Sequence, residues 1–354
     1  MSDLDGKQNK IEFGIYTLGD LARDPFAGSM ISPQKRIKEV IESAKLAEDA
    51  GLDLFGVGEH HRLDYAVSSP AIVLAAIARE TKRIKLTSAA TVLSTADPVR
   101  IFEDFSTLDL LSGGRAEIMT GRGAFTEPFS LFGYALEDNQ ALFTEKLELL
   151  QKLIDEEVVT WHGRFRTDLQ EAEIAPRPLQ QKLPIWIGVG GSVESAEFAG
   201  RHGTHMAIAI LKGDAARFQP LADAYWQAAK AAGHDLDKLK LGITGHAFIA
   251  ETPKMAKDDF YPYYANYRQT VNRQRGKSFT LSRTEFEQLA APDTSLFVGS
   301  PEQIAEKIVT QHQMFGHRRF IAQVDIGGVP FAKAAKSIEL LAGQVKPLVE
   351  KALQ

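Results

Sequence analysis

Two hydrophobic patterns alternate along this chain. Short runs rich in β-branched and aromatic residues are each followed by a longer run whose apolar positions recur every three or four residues. The first kind reads as strand, the second as amphipathic helix. IEFGIYT at 11–17 is the first strand. SPQKRIKEVIESAKLAEDAG at 32–51 is the helix after it, with Ile37, Val40, Ile41 and Ala44 on one face. Ser32 suits its cap, Pro33 its first position and Gly51 its end. Strand 53–60 precedes helix 69–81. Strand 83–93 leads to helix 97–114, where Asp97 caps, Pro98 starts and Gly113 and Gly114 stop. Strand 114–123 precedes helix 138–156. Strand–helix pairs follow at 184–190 and 192–201, at 205–211 and 214–232, and at 240–250 and 253–268. The last strand, 318–328, lies between helices 300–316 and 330–352.

Eight βα units in succession predict a (β/α)8 TIM barrel, taken as one domain over 1–354. A doubly wound open sheet would carry a glycine-rich dinucleotide loop after its first strand, where TLGDLARDPF stands instead. Two insertions interrupt the alternation. VVTWHGRFRT at 158–167 reads as a hairpin around His162 and Gly163. The polar, arginine-rich segment 269–298, after strand 7, is either a solvated excursion or a mobile insertion over the barrel mouth.

Composition narrows the function classes. The chain has 354 residues, 44% of them hydrophobic, a formal net charge of −5 and no cysteine. Disulfides, thiolate nucleophiles and cysteine metal sites are therefore excluded, and mild acidity gives no electrostatic reason to bind nucleic acid. The N-terminal MSDLDGKQNKIEF lacks the apolar core of a signal peptide, and no apolar run is long enough for a membrane helix. The expectation is a cytoplasmic protein with no membrane or nucleic-acid partner.

Strand C-termini build the functional face of such a barrel, and here they collect polar and small residues. Strand 1 ends in Tyr16 and Thr17, strand 2 in Glu59, His60 and His61, strand 3 in SAAT at 88–91, strand 4 in TGRGAF at 120–125, strand 5 in GVGGSVES at 188–195, and strand 8 in Asp325 with Gly327 and Gly328. Gly190 and Gly191 running into Ser192 and Ser195 at a helix N-terminus suit a phosphate, or merely make a good loop and cap, the reading that Glu194 in the first turn favours. Arg122 can clamp it bidentately, unless it pairs with Glu117 or Glu127. Small residues at 88–90 would let a flat ligand lie against bare backbone, or merely pack. The two histidines have three readings: structural hydrogen bonding, metal ligation, or proton handling near neutral pH with the adjacent carboxylate setting the tautomer. For metal ligation His202 and His205 belong to the opposite end of the barrel, and Asp325 is available but at a spacing that matches no zinc pattern. Strand alternation predicts that only one of His60 and His61 enters the pocket.

Together these residues resemble the bacterial luciferase-like family of flavin-dependent monooxygenases. The likeness covers nearly the whole chain and is strongest in GVGEHHRLDY, LTSAATVLSTADPVRIFEDFSTLDLLSGGRAEIMTGRG, LPIWIGVGGSVESAEFAGRHG and VGSPEQIAEKI. It implies a TIM barrel binding reduced FMN at its C-terminal face, with His60 catalytic. It also implies a non-prolyl cis peptide at Ala89–Ala90 behind the flavin ring, and a phosphate held by Arg122, Ser192 and Ser195. Glu59, Gly190 and Gly191 complete the expected cofactor site, with no metal. The light-emitting members carry a cysteine, a glutamate and a tyrosine where this chain has Gly121, Gly191 and Phe125. These departures argue against light emission and a long-chain aldehyde substrate. The expected activity is FMN-dependent monooxygenation of a small organic substrate with O2, the reduced FMN coming from a separate NAD(P)H:flavin reductase. A homodimer through the helices after strands 2 and 3 is expected from the same likeness. The alternatives are deazaflavin-dependent hydride transfer, a non-catalytic flavin-binding protein and a metal-dependent hydrolase.

Overall fold

The computed structural model describes residues 10–123, 125–274 and 280–354. Its strands are β1 (Glu12–Thr17), β2 (Leu54–Val57), β3 (Lys85–Ser88), β4 (Thr91–Val92), β5 (Ala116–Gly121), β6 (Val158–Trp161), β7 (Leu169–Glu173), β8 (Ile185–Val189), β9 (His205–Ala209), β10 (Leu241–Ile249), β11 (Phe297–Gly299) and β12 (Arg319–Gln323). Eight of them, β1, β2, β3, β5, β8, β9, β10 and β12, pair in parallel in that order, and β12 returns to β1 to close the barrel. This is the (β/α)8 architecture that the eight strand–helix units predict. Among the described residues no helix is long and apolar enough to cross a membrane.

Local chemistry explains several helix starts. Ser32 accepts the Lys35 amide to cap Pro33–Asp49, and Asp97 accepts the Val99 amide to cap Pro98–Ser112, which Gly113 ends in the left-handed region. A large apolar core lies between strands and helices, and a smaller one, including Leu54, Met119, Trp186 and Ile321, fills the barrel. At the N-terminal end the buried Arg319 guanidinium bonds Glu12 and Glu117 and stacks 4.0 Å over Trp186. That polar plug closes one end of the barrel. The other end is left for ligand.

The structure departs from the sequence expectations in four places. Strand 2 ends at Val57, so Gly58–His61 is irregular backbone. The third strand splits into β3 and β4 around a cis Ala89–Ala90 peptide. The hairpin is longer than 158–167, because β6 pairs with β7 at 169–173 across a wider loop. Much of 269–298 is regular. The helix Pro253–Gln274 runs into it, Arg283–Leu289 forms a helix with a capping box, and β11 joins the sheet beside β10. Residues 275–279 of that segment lie outside the described residues.

Candidate active site

A cavity of about 980 Å³ opens at the C-terminal ends of the barrel strands. Ligand pockets typically span roughly 300–1,000 Å³, so this one has room for a cofactor and a second molecule. Every predicted site residue borders it: His60, Glu59, Ala89, Ala90, Arg122, Gly190, Gly191, Ser192 and Ser195.

The irregular stretch after β2 sets the histidines. Without the alternation of a strand, both imidazoles border the cavity. Glu59 acts on His61 rather than His60. One of its oxygens lies 2.8 Å from His61 Nε2, and the other accepts the Val92 amide at 3.0 Å. The carboxylate thus fixes the second histidine and ties the loop to β4. The His60 ring stacks on Tyr65 at 4.0 Å and meets the edge of Phe125 at 5.4 Å. Its Nδ1 is buried with no hydrogen-bond partner. Burial pushes its pKa down to about 4, so it stands neutral at pH 7, below the range expected of a histidine that charges near neutrality. It offers a fixed hydrogen-bonding edge in an aromatic wall.

Arg122 leaves the end of β5 and pairs with neither candidate carboxylate. Glu117 lies in the opposite end of the barrel with Arg319, and Glu127 bonds Arg62. Instead Nη1 donates to Gln140 Oε1 at 2.8 Å and Nη2 to Ser195 Oγ at 3.0 Å. Neutral partners hold the guanidinium in place and it makes no ion pair among the described residues, although the charge of Glu194 reaches it. Ser192 caps the helix Val193–Arg201, accepting the Ser195 amide at 3.2 Å. Gly191 has φ +144, which side-chain-bearing residues rarely adopt, and a Cβ at Gly190 or Gly191 would meet no protein atom within 4 Å. The turn is shaped by backbone geometry and faces open space. One charge opposes an anion here: Glu194 accepts a hydrogen bond from Ser192 Oγ at 2.7 Å, which lowers its pKa. Its carboxylate is fully exposed and free to turn outward. Lys212 and Arg217 add positive charge at the rim and make no ion pair among the described residues.

These features fit a flavin-type cofactor, a ring system carrying a phosphate. A guanidinium in no ion pair, a serine hydroxyl and helix N-terminal amides meet in an open glycine turn, as a phosphate requires. The methyl-only side chains of Ala89 and Ala90 present a low wall to a ring system. Among the described residues no three His, Asp or Glu side chains come together to hold a metal.

Sequence reasoning missed Gln140, which orients Arg122, and Tyr65, which stacks on His60. It also missed His246 on β10 and Gln323 on β12, which border the cavity from the far side. The i, i+2 pairs Thr244 and His246, and Ile321 and Gln323, carried a weak alternation signal for the last two.

Comparison with known proteins places these residues in company. The family model described as luciferase-like monooxygenase matches residues 11–318. The oxygenase component of a flavin-dependent trigonelline monooxygenase from Acinetobacter baylyi is 22% identical, over 87% of this chain and 89% of that protein. Among solved structures, the monooxygenase RslO1 from Streptomyces bottropensis superposes with a TM-score of 0.82 at 25% identity, covering 95% of this chain and 99% of that one. The oxygenating constituent of 3,6-diketocamphane monooxygenase from Pseudomonas putida, in complex with FMN, gives 0.76 at 22% identity, covering 96% and 98%. An F420-dependent secondary alcohol dehydrogenase gives 0.72 at 16%, covering 96% and 99%.

Proposed function

The chain belongs to the luciferase-like monooxygenase family, and from that premise we propose that it is the oxygenase component of a two-component system, taking reduced FMN from a separate NAD(P)H:flavin reductase and using O2 to oxidise a small organic substrate. The observation that carries this reading is Arg122, a cation with no carboxylate partner among the described residues, aimed with Ser195 at an open glycine turn. The relative from Acinetobacter baylyi, named as an oxygenase component, supports a partner reductase.

Bound and reduced, the flavin would supply the electrons that activate O2. The protein does the rest through binding, exclusion of water and a fixed hydrogen-bonding edge. Arg122, Ser195 and the amides at Gly190, Gly191 and the helix start would hold the phosphate. Ala89 and Ala90 leave room for the ring. His60 stacked on Tyr65 and met edge-on by Phe125 forms an aromatic wall, and its neutral imidazole can accept or donate a hydrogen bond there without carrying charge at pH 7. His61, held by Glu59 and packed edge-on against Phe132, borders the cavity beside it. Ile72 on Pro70–Glu80 and Leu110 on Pro98–Ser112 are exposed apolar residues that would suit contact with a second copy of the chain.

The test is a titration of the purified protein with FMN and with a deazaflavin, followed by O2 uptake and product analysis with reduced FMN. Tight FMN binding with substrate-dependent oxidation is expected. In His60→Ala, FMN should still bind while product formation falls by about 10²-fold or more. Selective deazaflavin binding, with oxidation independent of O2, would instead indicate hydride transfer.

A further inference from the structure

The two sides of the cavity differ in charge. Its bordering charged residues, Glu59, Arg122, Lys212 and Arg217, lie at the ends of the second, fourth and sixth barrel strands or in the segments that follow them. The opposite side is built by β10, β12 and β1, where the polar residues Tyr16, Thr244, His246 and Gln323 carry no charge. His246 and Gln323 are register partners on adjacent parallel strands, and Thr244 and Ile321 are partners one step below. Both pairs therefore face inward together. Tyr16 extends the row on β1, following Ile15, the partner of Ala322.

This row holds polar atoms that the protein itself leaves unsatisfied. Gln323 is 1% exposed, and neither its amide oxygen nor its nitrogen has a hydrogen-bond partner. His246 is 3% exposed, its Nδ1 is likewise unpartnered, and edge-on contacts with Tyr264 and Tyr267 hold its ring. Burial keeps that imidazole neutral, with its pKa pushed down to about 3. A leucine at either place would cost less than a buried amide without a partner. The arrangement makes sense if a ligand supplies the missing partners. The last torsion of a glutamine is soft, so its amide can turn toward such a ligand.

We propose that this row, Tyr16, Thr244, His246 and Gln323, binds the substrate, and that the substrate is an uncharged cyclic compound presenting a hydrogen-bond acceptor and donor side by side, as a lactam does. An amide side chain with both atoms free matches that pair one to one. Among the described residues that border the cavity on this side an anionic substrate would find no cation; Arg268, whose charge reaches His246 and Tyr264, does not border it. A cationic one would find no carboxylate among the described residues bordering this side: Asp325, whose charge reaches Tyr16, does not border the cavity and pairs with Arg36 at 2.7 Å. Aromatic and aliphatic residues, including Met119, Tyr267 and Val271, supply apolar contact around the row. The inference rests on the reading above only in assigning the Arg122 side to the cofactor.

Equilibrium dialysis of the FMN-loaded protein against three compounds of one shape tests it: 2-quinolone, naphthalene and 2-naphthoate. The expected order places 2-quinolone about tenfold or more ahead of both others. Gln323→Met should abolish that lead, leave naphthalene binding unchanged and not lower the melting temperature of the ligand-free protein. His246→Phe, which keeps the ring's shape, should reduce the lead independently. Equal retention of 2-quinolone and naphthalene, including no retention of either, overturns the proposal. So does preferred binding of 2-naphthoate. A Gln323→Met protein that melts earlier yet binds 2-quinolone normally makes Gln323 a packing residue and also overturns it. FMN retention is read in the same dialysis. Loss of FMN with the 2-quinolone order intact removes the cofactor reading alone, and the reverse removes this subsite alone.

Discussion

At Arg122 two hydrogen bonds to neutral partners do what a salt bridge would undo. Gln140 and Ser195 orient the guanidinium without cancelling its charge, so the charge remains for a ligand. Charge-assisted bonds to phosphate are about twice as strong as neutral ones. Arg122→Ala should therefore weaken FMN binding by roughly 10- to 100-fold in a fluorescence titration, with Arg122→Lys between. An unchanged affinity would remove the cradle from the phosphate site. Glu194 acts with the opposite sign, since its carboxylate sits on the Ser192 hydroxyl at the same helix start. Glu194→Gln removes a like charge from the phosphate's surroundings. It should tighten FMN binding about two- to fivefold, an effect that shrinks in high salt.

Between elements, close backbone approach matters more than side-chain chemistry. The helix Val193–Arg201, which carries the glycine turn at its start, packs on Gln219–Ala231 through Gly200. A Cβ there would lie 2.3 Å from the Tyr225 carbonyl oxygen and 2.9 Å from Ala228 Cβ. Backbone cannot yield as a flexible side chain does, so Gly200→Ala must push the two helices apart. Overpacking of this kind costs about 1–3 kcal/mol. Calorimetry should show a lower melting temperature, and weaker FMN binding should accompany it because the helix start moves. A variant that melts with the parent protein would show that the helices are not in register as described. The two ends of β10 make the complementary point. The whole strand is buried, yet its inward residues near the C-terminal end are Thr244 and His246. An element buried on both faces keeps polar side chains only where something pairs them.

For the whole molecule, the buried histidines set the response to acid. His60 and His205 are pushed down to about 4, and His246 and His317 to about 3, in each case mainly by burial. In the unfolded chain a histidine titrates near 6.5. Between 6.5 and about 4 the unfolded chain therefore takes up protons that the folded one refuses. Stability is complete above 6.5 and is lost as pH falls, by up to roughly 1.4 kcal/mol per pH unit for each group. Asp20 works the other way. Burial raises its pKa to about 6, against the pull of Arg36, so folding gains there as pH falls. Four groups oppose one, and the urea midpoint should drop between pH 7 and pH 5. A flat or rising midpoint would mean that these imidazoles are better solvated than the fold describes.

Much of this was legible in the chain before any coordinates. The strand–helix alternation, the caps at Ser32 and Asp97, and the polar and glycine residues at strand ends are consequences of local chemistry, and local chemistry is written in neighbouring residues. The eightfold count follows from that alternation, and with it the face on which a site must lie. What lay beyond the sequence is pairing between distant residues. Glu59 chooses His61 over His60 because the backbone after Val57 leaves the strand path. Arg122 escapes both candidate carboxylates because Glu117, at the start of the same extended strand, is taken by Arg319 from β12, and Glu127 by Arg62. Gln323 and His246, far apart in the chain, become neighbours only when β12 returns to β10. Burial, which neutralises the histidines, is likewise a property of the closed barrel. Local periodicity determines which elements form and where each polar residue sits along them. Only the closed tertiary structure decides which charges meet, which are left uncompensated and which polar atoms remain open to a ligand.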